Sequence, residues 1–195
     1  MHPDLLLLIG ISFSLGFTPG PNNVVASFSG FNFGIKKTLP LIFGVGLGYT
    51  ILVILINYVL ISTFKKYPAI QEVIRVLGTL FLIYLAYKIS FSNNSSNSTT
   101  VNPVTFFDTF LFQFINPKGV MAAMTLISKF VKEDNYMSSS ISVIIVCSVT
   151  AFLSITTWVF LGKFLRKFAT NNNFIKRFNY AMSILIVTCI IGFYI

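Results

Sequence analysis

Apolar residues fall into six long runs, at about residues 5–28, 39–62, 70–91, 104–128, 138–162 and 178–195, separated by short polar or basic segments. A bilayer core about 30 Å thick is crossed by about 20 helical residues, so each run predicts a transmembrane helix. The runs are continuous rather than alternating, and about twice the length a barrel strand requires, which argues against a transmembrane β-barrel. Trp158 and most of the tyrosines sit towards run ends, where an aromatic belt meets the headgroups.

The stretch Ser92-Asn93-Asn94-Ser95-Ser96-Asn97-Ser98-Thr99-Thr100 has nothing to bury and predicts a flexible polar linker over 92–103. Three runs precede it and three follow. An odd number of spans per half forces the halves into opposite orientations across the bilayer. The expectation is an all-α membrane protein, one transmembrane domain over 1–195, built as a 3+3 inverted repeat of residues 1–91 and 104–195.

Composition narrows the function. Of 195 residues, 55% are hydrophobic and 10% charged, with a mean hydropathy of +0.82, where a soluble domain carries roughly 25% charged residues. A soluble globular protein and a disordered chain are both excluded. The net charge of +9 does not point to nucleic acid, because no stacking aromatics surround a basic groove. The basic residues instead cluster between runs at Lys36-Lys37, Lys65-Lys66, Lys163-Arg166-Lys167 and Lys176-Arg177. Lys36, Lys37, Lys88, Lys163, Arg166, Lys167, Lys176 and Arg177 fall on the first, third and fifth connections, against Lys65, Lys66, Arg75, Lys129 and Lys132 on the other side. Positive-inside counting therefore predicts a multi-pass protein of the cytoplasmic membrane with both termini outside. No Lys or Arg precedes Leu5, so the first run lacks the basic start of a signal peptide and is expected to be retained.

Catalytic groups are scarce. The single histidine is His2, outside the first run, and no pair of intramembrane carboxylates is present. This argues against an enzyme and against a metal or other cofactor. Cys147 and Cys189 lie in apolar runs without metal or disulfide spacing and read as packing residues.

The first run is interrupted by Thr18-Pro19-Gly20-Pro21-Asn22-Asn23. Two prolines remove amide donors and strand carbonyls nearby, which hydrocarbon does not tolerate unless the backbone faces protein or water. Pro21 suits the first position of a new half-helix, whose amide end attracts an anionic group. The fourth run holds a counterpart, Gln113-Phe114-Ile115-Asn116-Pro117-Lys118-Gly119, in which Asn116 is expected to cap a half-helix starting at Pro117. In inverted halves, paired discontinuous helices mark a transporter's substrate site. Lys118, a charge well inside an apolar run, calls for a cavity, a partner or a substrate carboxylate. Asp108 reads either as a helix-start acid or as an ion-coupling group. Gly44 and Gly48 form a small-xxx-small pair suited to close helix packing. Ser148, Thr150, Ser154, Thr156 and Thr157 either bond back to their own helix or line a pathway, and the sequence leaves both open.

Thr18-Pro19-Gly20-Pro21-Asn22-Asn23, with Gly34, Gly44 and Gly48, resembles the first-half motif of the LysE/RhtB amino-acid exporter family, and Asn116-Pro117-Lys118 resembles its second-half motif. The resemblance spans essentially the whole chain. The runs Phe107 to Lys118 and Leu82 to Ile89 are similar to the cysteine/O-acetylserine branch more than to the homoserine/threonine branch. Asp108 and Thr109 depart from the frequent Arg and Gly, Gln113 from Asn, and Tyr49 from the acid that often follows the glycine. The resemblance implies export of small neutral amino acids, driven by an ion gradient with the proton as coupling ion. It places the cargo among Pro19, Gly20, Pro21, Asn22, Asn23, Gln113, Asn116, Pro117 and Lys118. The carboxylate is expected at an amide-rich half-helix end or at Lys118, and the ammonium at carbonyls freed by the breaks. The lipid bilayer is a further expected partner, and the small size suits a homodimer.

Overall fold

The computed structural model describes residues 3–60, 66–67, 69–90, 103–169, 171–192 and 194. Of the predicted linker only Pro103 is among them, and His2 and Lys65 also lie outside. Helices dominate, and no strand occurs among the described residues. In chain order they are α1 (Pro3–Phe17), α2 (Pro21–Leu55, extended by a π-helical turn Ile56–Leu60), α3 (Ala69–Ser90), α4 (Phe106–Ile115) and α5 (Pro117–Phe130). After a 3-10 turn at Glu133–Asn135 come α6 (Tyr136–Arg166) and α7 (Asn172–Ile191).

Among the described residues four helices are long and apolar enough to cross a bilayer, and α4 with α5, bent by 59° at Asn116, forms a fifth candidate span. The apolar α1 is shorter. Both predicted breaks are present, at 18–20 and at 116. The first two runs, however, do not end and restart at 28 and 39. Residues 21–55 stay helical through the basic segment, interrupted only at Gly34, which adopts φ 74°, ψ 176°. That region is essentially closed to residues with a Cβ.

Contacts with α6 show what Gly34 does. Ser154 bonds Asn23 and Ser27 bonds the Trp158 carbonyl, so residue numbers rise together along the two helices. Beyond Gly34, Thr50 bonds Ser148 while Gly46 faces the Phe152 ring, so there the numbers run oppositely. The chain therefore reverses direction at Gly34, and α2 is two antiparallel segments. The close approach needs small residues. An added Cβ on Gly30 or Gly162 would strike the Val159 or Ser27 backbone, and one on Gly44 or Gly48 would strike α4 at Phe106, Thr109 or Phe110. Gly44 and Gly48 thus serve packing, between α2 and α4.

The core lies between these helices, with Val24, Leu41, Leu82, Phe112, Ile155 and Ile186 in one cluster and Leu52, Ile56, Val120, Leu126 and Val143 in another. Large apolar side chains also point outwards, including Leu80, Ile83 and Tyr87 on α3 and Ile184, Val187 and Ile191 on α7. Such a surface is suited to lipid, not water. The elements sort to two ends. At one, Asp4 pairs with Lys132 at 2.6 Å, Tyr136 donates to the Asn57 carbonyl, and Arg75 stacks on Tyr194. At the other, Arg166 lies over Phe31, which also stacks on Phe174 and Phe178. The last helix starts at Asn172 rather than near 178, because the Asn171 side chain caps it by accepting the Phe174 amide.

Candidate functional site

The first break is built from groups that cannot continue a helix. Pro19 and Pro21 offer no amide hydrogen, Gly20 is extended (φ −165°, ψ 173°), and α2 begins with Pro21 at its first position. The stranded carbonyls are nonetheless satisfied. Asn23 Nδ2 donates to the carbonyls of Gly16 (2.8 Å) and Thr18 (2.9 Å), and Ser154 Oγ donates to that of Gly16 (2.8 Å). Lys118 Nζ, from the second half of the chain, donates to the carbonyls of Thr18 (2.8 Å) and Pro19 (3.3 Å). The carbonyls of Gly16, Thr18 and Pro19 thus each hold at least one donor from the protein itself.

The second break turns on Asn116, extended at φ −83°, ψ 103°, with Pro117 at the first position of α5. The expected cap is not made. The Asn116 side chain forms no capping bond, and its Oδ1 is buried without a hydrogen-bond partner. Its Nδ2 lies instead over the first turn of α5, 3.6 Å from where a Cβ on Gly119 would stand. Gln113, fully buried on α4, exchanges hydrogen bonds with Asn22 (2.8 and 3.2 Å) and donates to the Thr109 carbonyl (2.7 Å). The two breaks are thus cross-braced twice, by Asn22 with Gln113 and by Lys118 with Thr18 and Pro19.

Between them lies a cavity of about 80 Å³, room for several waters or a small solute. Gly20, Pro21, Asn22, Asn23, Asn116, Lys118 and Gly119 line it, joined by Ser12, Tyr49, Cys147, Thr150 and Ser154. An added Cβ on Gly20 would come within 2.7 Å of Lys118 Nζ, so the glycine makes space for that side chain. Among the described residues no carboxylate pairs with Lys118. The ammonium and the open amide ends of α2 and α5 therefore leave the cavity positive. Pro19 contributes its carbonyl, Pro117 sets the start of α5, and Gln113 acts from behind Asn22. Asp108 stands apart. Its carboxylate accepts the Thr105 amide in a capping box, and it borders a separate cavity of about 10 Å³.

Sequence reasoning missed Ser12, which breaks no pattern, and noted Tyr49 only as a departure from the acid that often follows the glycine, without assigning it to the site. It read Cys147 as packing. That residue is buried, and it also borders the cavity. The polar residues of the fifth run divide. Thr157 bonds back to Leu153, Ser148 bonds back to Ile144 while receiving Thr50, and Ser154 faces the cavity and ties down the first break.

A family model for LysE-type translocators matches residues 13–194, nearly the whole chain and both breaks. Proteins named cysteine/O-acetylserine efflux protein in Escherichia coli, Shigella flexneri and Shigella sonnei are 24% identical over 173 residues, covering 88% of this chain and 88% of theirs. No solved structure gives a significant match. With apolar helices, two broken segments and this match over its length, the chain belongs to the LysE-type translocator family.

Proposed function

We propose that this protein is a secondary exporter of small neutral amino acids of the cysteine/O-acetylserine kind in the cytoplasmic membrane. The carrying observation is the lysine ammonium of Lys118, unpaired with any described carboxylate, in a cavity that both helix breaks border. A carboxylate is the complementary cargo group, and it meets amide ends from both halves of the chain. The similarity to the efflux proteins supports the choice of cargo.

In this reading there are six spans in two inverted sets of three. The first set is α1 with the first segment of α2, then the second segment of α2, then α3. The second is α4 with α5, then α6, then α7. The halves rock about the cavity, and the bonds of Lys118 to Thr18 and Pro19 break and reform as they do. A proton gradient drives export. Because Asp108 is committed to its cap, the coupling proton travels on Lys118 or on the cargo.

Counterflow of labelled cysteine, O-acetylserine, threonine, leucine and lysine into proteoliposomes holding only this chain tests the proposal. Cysteine and O-acetylserine are expected to exchange, and Lys118→Ala to abolish the exchange while leaving the protein folded. No movement of any of the five by folded, inserted protein would overturn the reading in favour of another solute or a non-transporting subunit.

A further inference from the structure

Hydrogen bonding divides the polar lining of the cavity into a paired part and an open part. At the breaks, Asn22 pairs with Gln113, while Asn23, Ser154 and Lys118 hold the Gly16, Thr18 and Pro19 carbonyls. The rest of the lining includes Ser12 of α1, Tyr49 of α2, and Cys147 and Thr150 of α6. The Ser12 hydroxyl lies beside the Cys147 thiol. Among the described residues the Tyr49 and Thr150 hydroxyls have no hydrogen-bond partner, yet neither is sealed in protein as the unpartnered Asn57, Asn116 and Ser140 atoms are. The Thr50–Ser148 bond sets Tyr49 and Thr150 at neighbouring levels of two packed helices. The Tyr49 ring reaches across to α5, 3.6 Å from where a Cβ on Gly119 would stand, and Thr150 Cγ2 is 2.9 Å from one on Gly16. Other hydroxyls of the bundle are satisfied within their own helix. Thr125, Ser148 and Thr157 each donate to the carbonyl one turn earlier, the local remedy that Thr150 does not use.

We infer that Tyr49 and Thr150, together with Ser12 and Cys147, form a side-chain subsite that selects a cargo by a hydrogen-bonding atom on its side chain, such as a hydroxyl, thiol or ester oxygen. The inference rests on the exporter reading and deepens it, since Lys118 and the two breaks would treat small neutral amino acids alike. With no cargo bound, water in the cavity hydrates the two open hydroxyls. A polar side chain displaces that water and replaces its bonds, whereas an apolar side chain of the same shape displaces it without replacement. All four subsite groups are small or rigid, and none supplies a charged partner, so the selection is among neutral side chains and turns on polarity rather than on size alone.

Competition against labelled-cysteine counterflow tests this with two matched pairs. Serine is set against α-aminobutyrate, whose methyl replaces the hydroxyl, and O-acetylserine against norleucine, whose side chain has the same length and no polar atom. In the wild-type protein the polar member of each pair is expected to compete roughly threefold to tenfold better, the ratio for one neutral hydrogen bond. Tyr49→Phe and Thr150→Val remove the hydroxyls while keeping the ring and the branched shape. Each is expected to lower both ratios, and the double variant to bring them close to one with the apolar competitors little changed. Equal competition within both pairs in the wild type would overturn the inference with no variant needed. Ratios that keep their wild-type value in the folded variants, single or double, would also overturn it, by showing that the hydroxyls serve the structure only. A wild-type protein that moves no amino acid would overturn the exporter reading as well, so the two failures are told apart by whether labelled cysteine exchanges.

Discussion

At the scale of single residues, the glycines around the cavity differ in what stands against them. Gly20 faces the far end of a lysine, whereas Gly162 faces the backbone of Ser27. A lysine terminus swings aside cheaply, and a carbonyl in a packed helix does not. Gly20 is also extended, a conformation alanine adopts freely. Gly20→Ala is therefore expected to fold with stability within about 1 kcal/mol of wild type, yet to lose most counterflow, because Lys118 is displaced from the Thr18 and Pro19 carbonyls. Gly162→Ala is expected to lose about 1–3 kcal/mol through overpacking. Thermal melting in detergent beside counterflow separates them, and equal melting temperatures would refute the distinction. Lys118 was legible in the sequence because a charge in hydrocarbon has few explanations. Asn23 was less so. A carboxamide beside a helix break serves equally to bind cargo or to satisfy stranded carbonyls, and only geometry shows that it does the latter.

Among elements, the apolar runs located the helices well, since the hydrocarbon core imposes both length and composition. The reversal in α2 was harder to read. A turn in a soluble protein announces itself with several polar or turn-forming residues, but here one glycine suffices while helix continues on either side. The basic Lys36 and Lys37 follow it directly, still helical, so the polar segment looks like a loop and is not one. At φ 74° and ψ 176° the conformation lies outside the left-handed helical region that asparagine tolerates. No atom lies within 4 Å of an added Cβ, so the penalty for substitution is backbone strain alone. Gly34→Ala and Gly34→Asn are each expected to lower stability by about 1–3 kcal/mol, without the rescue by asparagine that an ordinary helix C-cap would allow. A stability for Gly34→Asn close to wild type would place this residue in a different conformation.

For the molecule as a whole, the proposed inverted arrangement has a consequence beyond any one helix, which is sidedness. The Asp4–Lys132 pair brings the start of α1 beside the turn between α5 and α6. Arg75 over Tyr194 brings the start of α3 beside the end of α7. The basic segments 36–37 and 163–177 gather instead around the Phe31, Phe174 and Phe178 cluster. Positive charge prefers the cytoplasmic leaflet, where anionic lipid holds it. Asp134, Lys37 and Lys176 are exposed at their respective ends, and of the two free cysteines Cys147 is buried and Cys189 half-buried, so the variants are made in a Cys189→Ala background. With a membrane-impermeant maleimide on intact cells, Asp134→Cys is expected to label directly. Lys37→Cys and Lys176→Cys are expected to label only after permeabilisation. The opposite pattern would invert the orientation and put both termini in the cytoplasm. Labelling of all three from one side would remove the reversal at Gly34 from the membrane-crossing count, and with it the proposed odd number of spans per half by which the two breaks would reach one cavity from opposite faces.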